Sequence, residues 1–202
     1  MDLLQTMFGE MQAMTLWESL AVVLALAYLL LAMKENIWCW PAAFISSGIY
    51  MVIFWSVNLY MEALLSFYYV AMAVYGYWMW TKGGNQHHGI TITSWPLSTH
   101  LRIIVITTGL ALSLGYFMAN NTNASFPYLD AATTCFAIMT TYLVAKKVLE
   151  NWLYWIVINS VSIYLYLNKE LMLTSALFVL YVILAFAGYM QWQKSKAQQA
   201  TA

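Results

Sequence analysis

The feature that most constrains this chain is the rhythm of its interruptions. Mostly apolar stretches, each near the roughly 20 residues that a helix needs to cross a bilayer core, are broken only by short polar marks. These are Lys34-Glu35-Asn36, Asn58, Lys82-Gly83-Gly84-Asn85, Asn120-Asn121, Lys146-Lys147 and Asn168-Lys169-Glu170. The stretches between them run over about 17–33, 37–57, 60–80, 101–119, 128–145, 152–167 and 171–192. Strands of a membrane barrel would alternate apolar and polar residues over about ten positions, and these blocks do not. The expected fold is an all-α membrane protein of seven transmembrane helices. Composition agrees: 63% of the 202 residues are hydrophobic and 8% charged, against roughly a quarter charged in soluble domains. A soluble enzyme, a nucleic-acid binder with a basic stripe and a disordered tail are thereby excluded.

Charge placement orients the spans. With seven of them, Lys34, Lys82, Arg102, Lys146, Lys147, Lys194 and Lys196 fall on one side and Lys169 alone on the other. Short basic loops stay in the cytoplasm, so the N-terminus is expected outside and the C-terminus inside. Met1 to Trp17 carries no Lys or Arg and lacks the charged start of a signal peptide. Residues 2–14 space Leu3, Leu4, Met7, Phe8, Met11 and Met14 as an interfacial amphipathic helix would. His87 and His88 read as a solvated loop, and Cys39 and Cys135 as buried free thiols without metal-site spacing. Asn120-Asn121-Thr122 and Asn123-Ala124-Ser125 contain formal glycosylation acceptors that matter only in a eukaryotic cell.

The chain also repeats itself. Tyr69-Val70, Ala73, Gly76-Tyr77, Trp80 and Lys82 recur at an offset of 112 as Tyr181-Val182, Ala185, Gly188-Tyr189, Trp192 and Lys194. Upstream, Glu35-Asn36 and Trp40 align with Glu150-Asn151 and Trp155 at an offset of 115, which implies three residues fewer in the second copy. Spans one to three (17–82) thus return as spans five to seven (128–194), leaving 101–119 as a linker. Three spans per copy is odd, so the single linker span is what gives both copies the same orientation. Parallel repeats of this 3+1+3 kind belong to one known transporter plan, with the substrate near the midplane between halves.

On the sixth span, Trp152, Trp155, Asn159, Ser162 and Tyr166 fall within about an 80° arc of a helix. Asn159 lies about 10 Å along the axis from Trp152, where an amide must find a partner or cost several kcal/mol, of the order of any unpaired polar group in hydrocarbon. The first-half counterpart is Trp40, Phe44, Ser47 and Met51. Trp38, Trp80, Trp152 and Trp192 read as interfacial belt residues, Trp152 lying on the stripe as well. Gly76, Gly188, Ser46 and Gly48 read as close-packing positions, and Glu18, Glu62 and Asp130 as outer span ends. No metalloprotease, nucleophile-elbow or phosphate-loop motif is present, so no enzyme activity, cofactor or metal is expected. A chamber walled by aromatic rings, amides and hydroxyls suits a flat aromatic ligand with delocalised positive charge. It does not suit a phosphorylated one, which calls for a buried Arg or Lys.

Glu150-Asn151-Trp152-Leu153-Tyr154-Trp155 … Asn159, with Tyr75-Gly76-Tyr77, Trp80 and the closing Trp192, resembles the PnuC family of bacterial vitamin transporters over about residues 17–194. The repeat plan resembles the SWEET-type architecture. The resemblance implies uptake of nicotinamide riboside by facilitated diffusion across the bacterial inner membrane, trapping by a cytoplasmic vitamin kinase, and a homotrimer with one pathway per subunit. It also implies that Trp155 and Asn159 hold the base or ribose, helped by positions on the third and seventh spans, here Ser66, Tyr75 and Tyr181. Ser66, Ala73 and Ala187 stand where nicotinamide riboside carriers tend to have amides. The family also includes thiamine carriers, and thiamine, another flat cation without phosphate, asks for fewer polar partners. A non-transporting sensor or assembly subunit is the alternative of another class.

Overall fold

Each apolar stretch forms a helix. The computed structural model describes residues 14–84, 89–122 and 124–199, together with Gly9. His87, His88, Asn123 and, apart from Gly9 and Met14, the amphipathic N-terminal stretch lie outside the described residues. The helices are α1 Leu16–Met33, α2 Cys39–Ser56, α3 Tyr60–Lys82, α4 Leu97–Asn121, α5 Pro127–Ala145, α6 Asn151–Asn168 and α7 Met172–Gln199. Five of them, α1, α2, α4, α5 and α7, are long and apolar enough to cross a membrane. The fewer apolar aliphatic residues of α3 and α6 have a physical source: tyrosines, tryptophans, Ser66, Asn159 and Ser162 occupy positions that Leu or Val would take in a lipid-facing helix.

Local chemistry sets the ends. Thr15 and Glu18 form a capping box at the start of α1, and Pro127 sits in the first turn of α5. Four turns close on a left-handed residue other than glycine: Glu35 (φ 53°), Asn58 (φ 62°), Lys147 (φ 50°) and Glu170 (φ 60°). At each, the following amide reaches back to the helix just ended, as Asn36 N–H does to Leu31 O at 2.9 Å and Val148 N–H to Leu143 O at 2.9 Å. Such turns are tight and leave few main-chain groups unpaired at a helix end.

Helix contacts run α1–α2–α3–α5–α6–α7 and back to α1, a closed ring, and α4 lies outside it along α5. One end of the ring carries Lys34, Lys82, Lys146, Lys147 and Lys194 (the basic end), the other Glu18, Glu62 and Asp130. The basic end is sealed by a buried cluster that includes Trp40, Trp80, Trp152 and Trp192. Trp40 meets Trp80 edge-on at 5.3 Å, Trp152 meets Trp192 edge-on at 5.4 Å, and Trp80 and Trp192 are tilted to each other at 6.0 Å. Trp80 Nε1 donates to Val144 O at 3.3 Å, and Trp192 Nε1 donates to Ala32 O at 3.0 Å. Lys147 Nζ pairs with Glu35 at 2.9 Å and lies 4.7 Å above the Trp80 ring. Trp80, Trp152 and Trp192 are therefore central packing residues, not the interfacial belt expected of them.

Trp40 lies against Gly76 and Trp152 against Gly188, each so close that a methyl group on the glycine would clash with the indole. The counterpart of Trp40 is thus Trp152, not Trp155. The offset of 112 also relates Glu35 to Lys147, Asn58 to Glu170, and Cys39–Ser56 to Asn151–Asn168, so no three-residue deletion is needed. The two Glu-Asn pairs hold different places: Glu35 is the left-handed residue of its turn, whereas Glu150 is the N-cap of α6. Gly48 also departs from expectation, having open space where a side chain would go. Cys39 is buried, whereas Cys135 is only half-buried.

Candidate functional site

Inside the ring, above the tryptophan seal, is a cavity of ≈ 440 Å³ lined by α1, α2, α3, α5, α6 and α7. Six residues singled out from the sequence line it: Trp40, Ser47, Trp155, Asn159, Ser162 and Tyr181. The wall continues with the rings of Tyr28, Tyr50, Tyr69, Tyr166 and Phe178, and no lining side chain is charged. Tyr166 stacks on Phe178 at 5.1 Å, and Phe178 meets Tyr181 edge-on at 5.6 Å. Trp40 forms the floor where the cavity meets the sealed end, and its indole N–H has no partner among the described residues.

The polar groups of this wall are unequal. Ser46 Oγ donates to Ala21 O at 2.8 Å, Thr133 Oγ1 to Leu129 O at 3.0 Å and Thr141 Oγ1 to Ala137 O at 2.8 Å. Their protons are spent on main chain, and towards the cavity they can only accept. Asn159 differs. It is 5% exposed, yet its amide has no hydrogen-bond partner among the described residues. Its amide opens on the cavity, where it can both donate to and accept from whatever fills the chamber.

The other four expected site residues lie elsewhere. Trp152 is 1% exposed, pressed between Gly188 and Trp192. Phe44, 45% exposed, faces away from the ring. Ser66 donates to its own helix at Glu62 O, 2.8 Å away. Tyr75 stacks on Tyr142 at 6.2 Å at the basic end, with Lys146 Nζ 5.6 Å above it. The helical stripe on α6 is real as an angle, but the seal and the cavity take different lengths of it. Tyr28, Tyr50, Tyr69 and Thr141 were missed by the sequence reading, although the duplication signals two of them. Tyr50 and Tyr69 stand 112 residues before Ser162 and Tyr181, both already singled out.

A protein-family model described as nicotinamide mononucleotide transporter matches residues 15–194. The chain belongs to this family, the PnuC family of vitamin transporters. Among its relatives is the nicotinamide riboside transporter PnuC of Escherichia coli K12, 23% identical over 209 residues that span 91% of this chain and 87% of the relative. The Neisseria mucosa protein of the same name is 25% identical, spanning 87% of this chain and 71% of its own. The riboflavin/roseoflavin transporter RibM of Streptomyces davaonensis is 22% identical over 84% of this chain and 81% of its own. A crystal structure of the vitamin B3 transporter PnuC superposes with a TM-score of 0.72 at 20% identity, covering 97% of this chain and 90% of that one, which shows the fold. PnuC-family membership makes the chain a multi-pass membrane transporter and not an enzyme, and it removes the sensor or assembly subunit from consideration.

Proposed function

We propose that this PnuC-family chain takes up a non-phosphorylated vitamin with a flat, cationic ring, nicotinamide riboside first, by facilitated diffusion. The observation that carries the proposal is Asn159, whose amide opens beside Trp155 on a chamber free of charge. Trp155 offers a ring face to a pyridinium, and Asn159 offers both a donor and an acceptor to a carboxamide or ribose. The family description names a mononucleotide, but a phosphate in this chamber would meet no cation, and its desolvation would go uncompensated. A nucleoside fits the wall and a nucleotide does not. The absence of a lining carboxylate argues against ion coupling, hence facilitated diffusion.

Seven spans in two parallel triplets, 17–82 and 128–194, with α4 as the linker, are part of this proposal, supported by the offset of 112 and by the reciprocal Trp80 and Trp192 hydrogen bonds. The N-terminus lies outside and the basic end faces the cytoplasm of a bacterial inner membrane, as the distribution of lysines favours. A homotrimer, and trapping by a cytoplasmic kinase, follow from the resemblance alone. Thiamine is the second reading, favoured by one observation: Ser66, which stands where nicotinamide riboside carriers tend to have an amide, donates to Glu62 O of its own helix and offers a ribose nothing. Uptake into liposomes without any ion gradient tests the proposal. Saturable equilibration of labelled nicotinamide riboside, competed by unlabelled substrate, is expected. A requirement for a proton or sodium gradient would overturn facilitated diffusion, and transport of thiamine alone would promote the second reading.

A further inference from the structure

The seal between the chamber and the basic end is tied across the two triplets. Trp80 N–H, on α3, reaches Val144 O on α5, and Trp192 N–H, on α7, reaches Ala32 O on α1. A further tie is the ion pair of Glu35 and Lys147, whose side chains are 19% and 11% exposed. The offset of 112 carries Glu35 onto Lys147 and Trp80 onto Trp192, so in each pair a residue meets its own counterpart. Counterparts meet only close to the axis that relates two copies. Both pairs therefore lie near that axis, with Lys147 Nζ 4.7 Å over the Trp80 ring. The same charge in both copies would repel itself there; the signs are opposite, and the pair closes the end of the chamber.

The two turns that carry the pair are not held alike. Lys147 is bracketed: Thr93 N–H donates to Lys147 O at 3.0 Å, and Thr93 O accepts from Leu149 N–H at 2.8 Å. The extended segment that supplies Thr93 is itself fixed on both sides. Ile92 N–H donates to Gln199 Oε1 at 3.1 Å, and the Ser94 hydroxyl and Trp95 N–H donate to the Glu150 carboxylate. Among the described residues, the main-chain hydrogen bonds of the Glu35 turn stay within α1, the turn and the start of α2. Closure also has a cost. Trp40 Nε1, Trp152 Nε1 and Asn151 Oδ1 are buried at this end without a hydrogen-bond partner among the described residues, and an unpaired polar atom disfavours the state that buries it. Opening would wet all three. A closed state with that handicap is held by its ties, and the ion pair is the one that water and counter-ions can replace.

We propose that Glu35 and Lys147 are the latch of an inner gate: the Glu35 turn, with the adjoining ends of α1 and α2, withdraws from the strapped Lys147 turn, the tryptophans part, and the chamber opens at the basic end. That the vitamin leaves there, towards the cytoplasm, rests on the function and orientation proposed above. The latch is tested without vitamin and without a membrane, so its failure and theirs are told apart.

Cys39, fully buried within the seal at the start of α2, is a built-in reporter. The chain has two cysteines, so in the full chain carrying Cys135→Ser it is the sole thiol. A trimethylammonium methanethiosulfonate reagent, too polar to enter a closed seal, is added to the purified protein in micelles well below its melting temperature. Glu35→Gln should raise the labelling rate of Cys39 by about tenfold, the scale of one charge-assisted hydrogen bond lost from the closed state. The reversed pair, Glu35→Lys with Lys147→Glu, should bring the rate back towards that of the parent. Hydrogen exchange on the same samples gives a readout that general loosening would not: in Glu35→Gln the amides of 35–39 should exchange faster, and those of 147–149 should not. A Cys39 rate unchanged by Glu35→Gln overturns the latch, as does a reversed pair that labels as fast as Glu35→Gln. Equal acceleration of the two turns overturns the gate, because the whole end has then loosened.

Discussion

Asn159 is placed where its removal separates two roles. An amide that serves as glue between helices would take part of the fold with it. One that is unpaired within the protein should not. Asn159→Leu is therefore expected to weaken vitamin binding by about tenfold or more, one to two hydrogen bonds to a buried amide, with a melting temperature unchanged or raised. Calorimetric titration and a thermal melt on the same sample check both halves. Trp155→Ala should weaken binding by about 1–3 kcal/mol if the ring stacks on the ligand, by analogy with base stacking on aromatic side chains, while phenylalanine at 155 should recover most of it. Ala43 adds a third test, because it lines the cavity at the position 112 residues before Trp155. A tryptophan there narrows the chamber, and Ala43→Trp is expected to weaken the larger of any two competing vitamins more. These residues were legible to different degrees. Trp155 and Asn159 stand out because a Trp-x-x-Trp-x-x-x-Asn stripe is rare in a lipid-facing helix. Tyr50 and Tyr69 do not, because an intramembrane tyrosine looks the same in a belt, a core or a binding wall.

At the scale of the element, the positions of the helices were readable and their partners were not, and α4 and α7 run past the apolar stretches 101–119 and 171–192. The span 128–145 differs from α5 by one residue at its start and 152–167 from α6 by one residue at each end, since Lys146-Lys147 and Asn168-Lys169-Glu170 end an apolar helix whatever surrounds it. Which tryptophan meets which glycine depends on turn geometry, and there the 115 register failed. The close approach of Trp40 to Gly76 and of Trp152 to Gly188 yields a prediction that concerns packing only. Gly188→Ala should destabilise the protein by about 1–3 kcal/mol, the usual effect of overfilling a packed core, and should be seen as a lowered melting temperature. The ion pair between the two left-handed turns makes a charge test. Glu35→Lys would set two ammonium groups against each other beside Trp80 and should destabilise the basic end. Adding Lys147→Glu should restore much of the loss, because the swapped pair keeps one charge of each sign. A double variant no better than the single would show that the pair contributes nothing across the seal.

For the molecule as a whole, six helices in a ring hold an uncharged chamber closed at one end by tryptophan and open to nothing more polar than tyrosine, serine, threonine and asparagine. Hydropathy and charge spacing foretold a bundle of apolar helices, because each helix announces its own length. The closing of the ring through α3–α5 and α1–α7, and the exclusion of α4 from it, were not foretold, because those contacts join parts of the chain far apart and leave no local pattern. The chemistry of the chamber was half visible: the rings and neutral groups were in the sequence, and the absence of charge at depth became definite only when the wall was assembled. The measurement that bears most directly on this is a binding titration of the purified protein with nicotinamide riboside and thiamine, each set against its own phosphorylated form. Saturable binding of at least one unphosphorylated vitamin, with its phosphate ester bound far more weakly, is the expected result. A phosphate ester bound as tightly as the parent would mean that a cation reaches the ligand, and the uncharged chamber would not be the place where the vitamin sits.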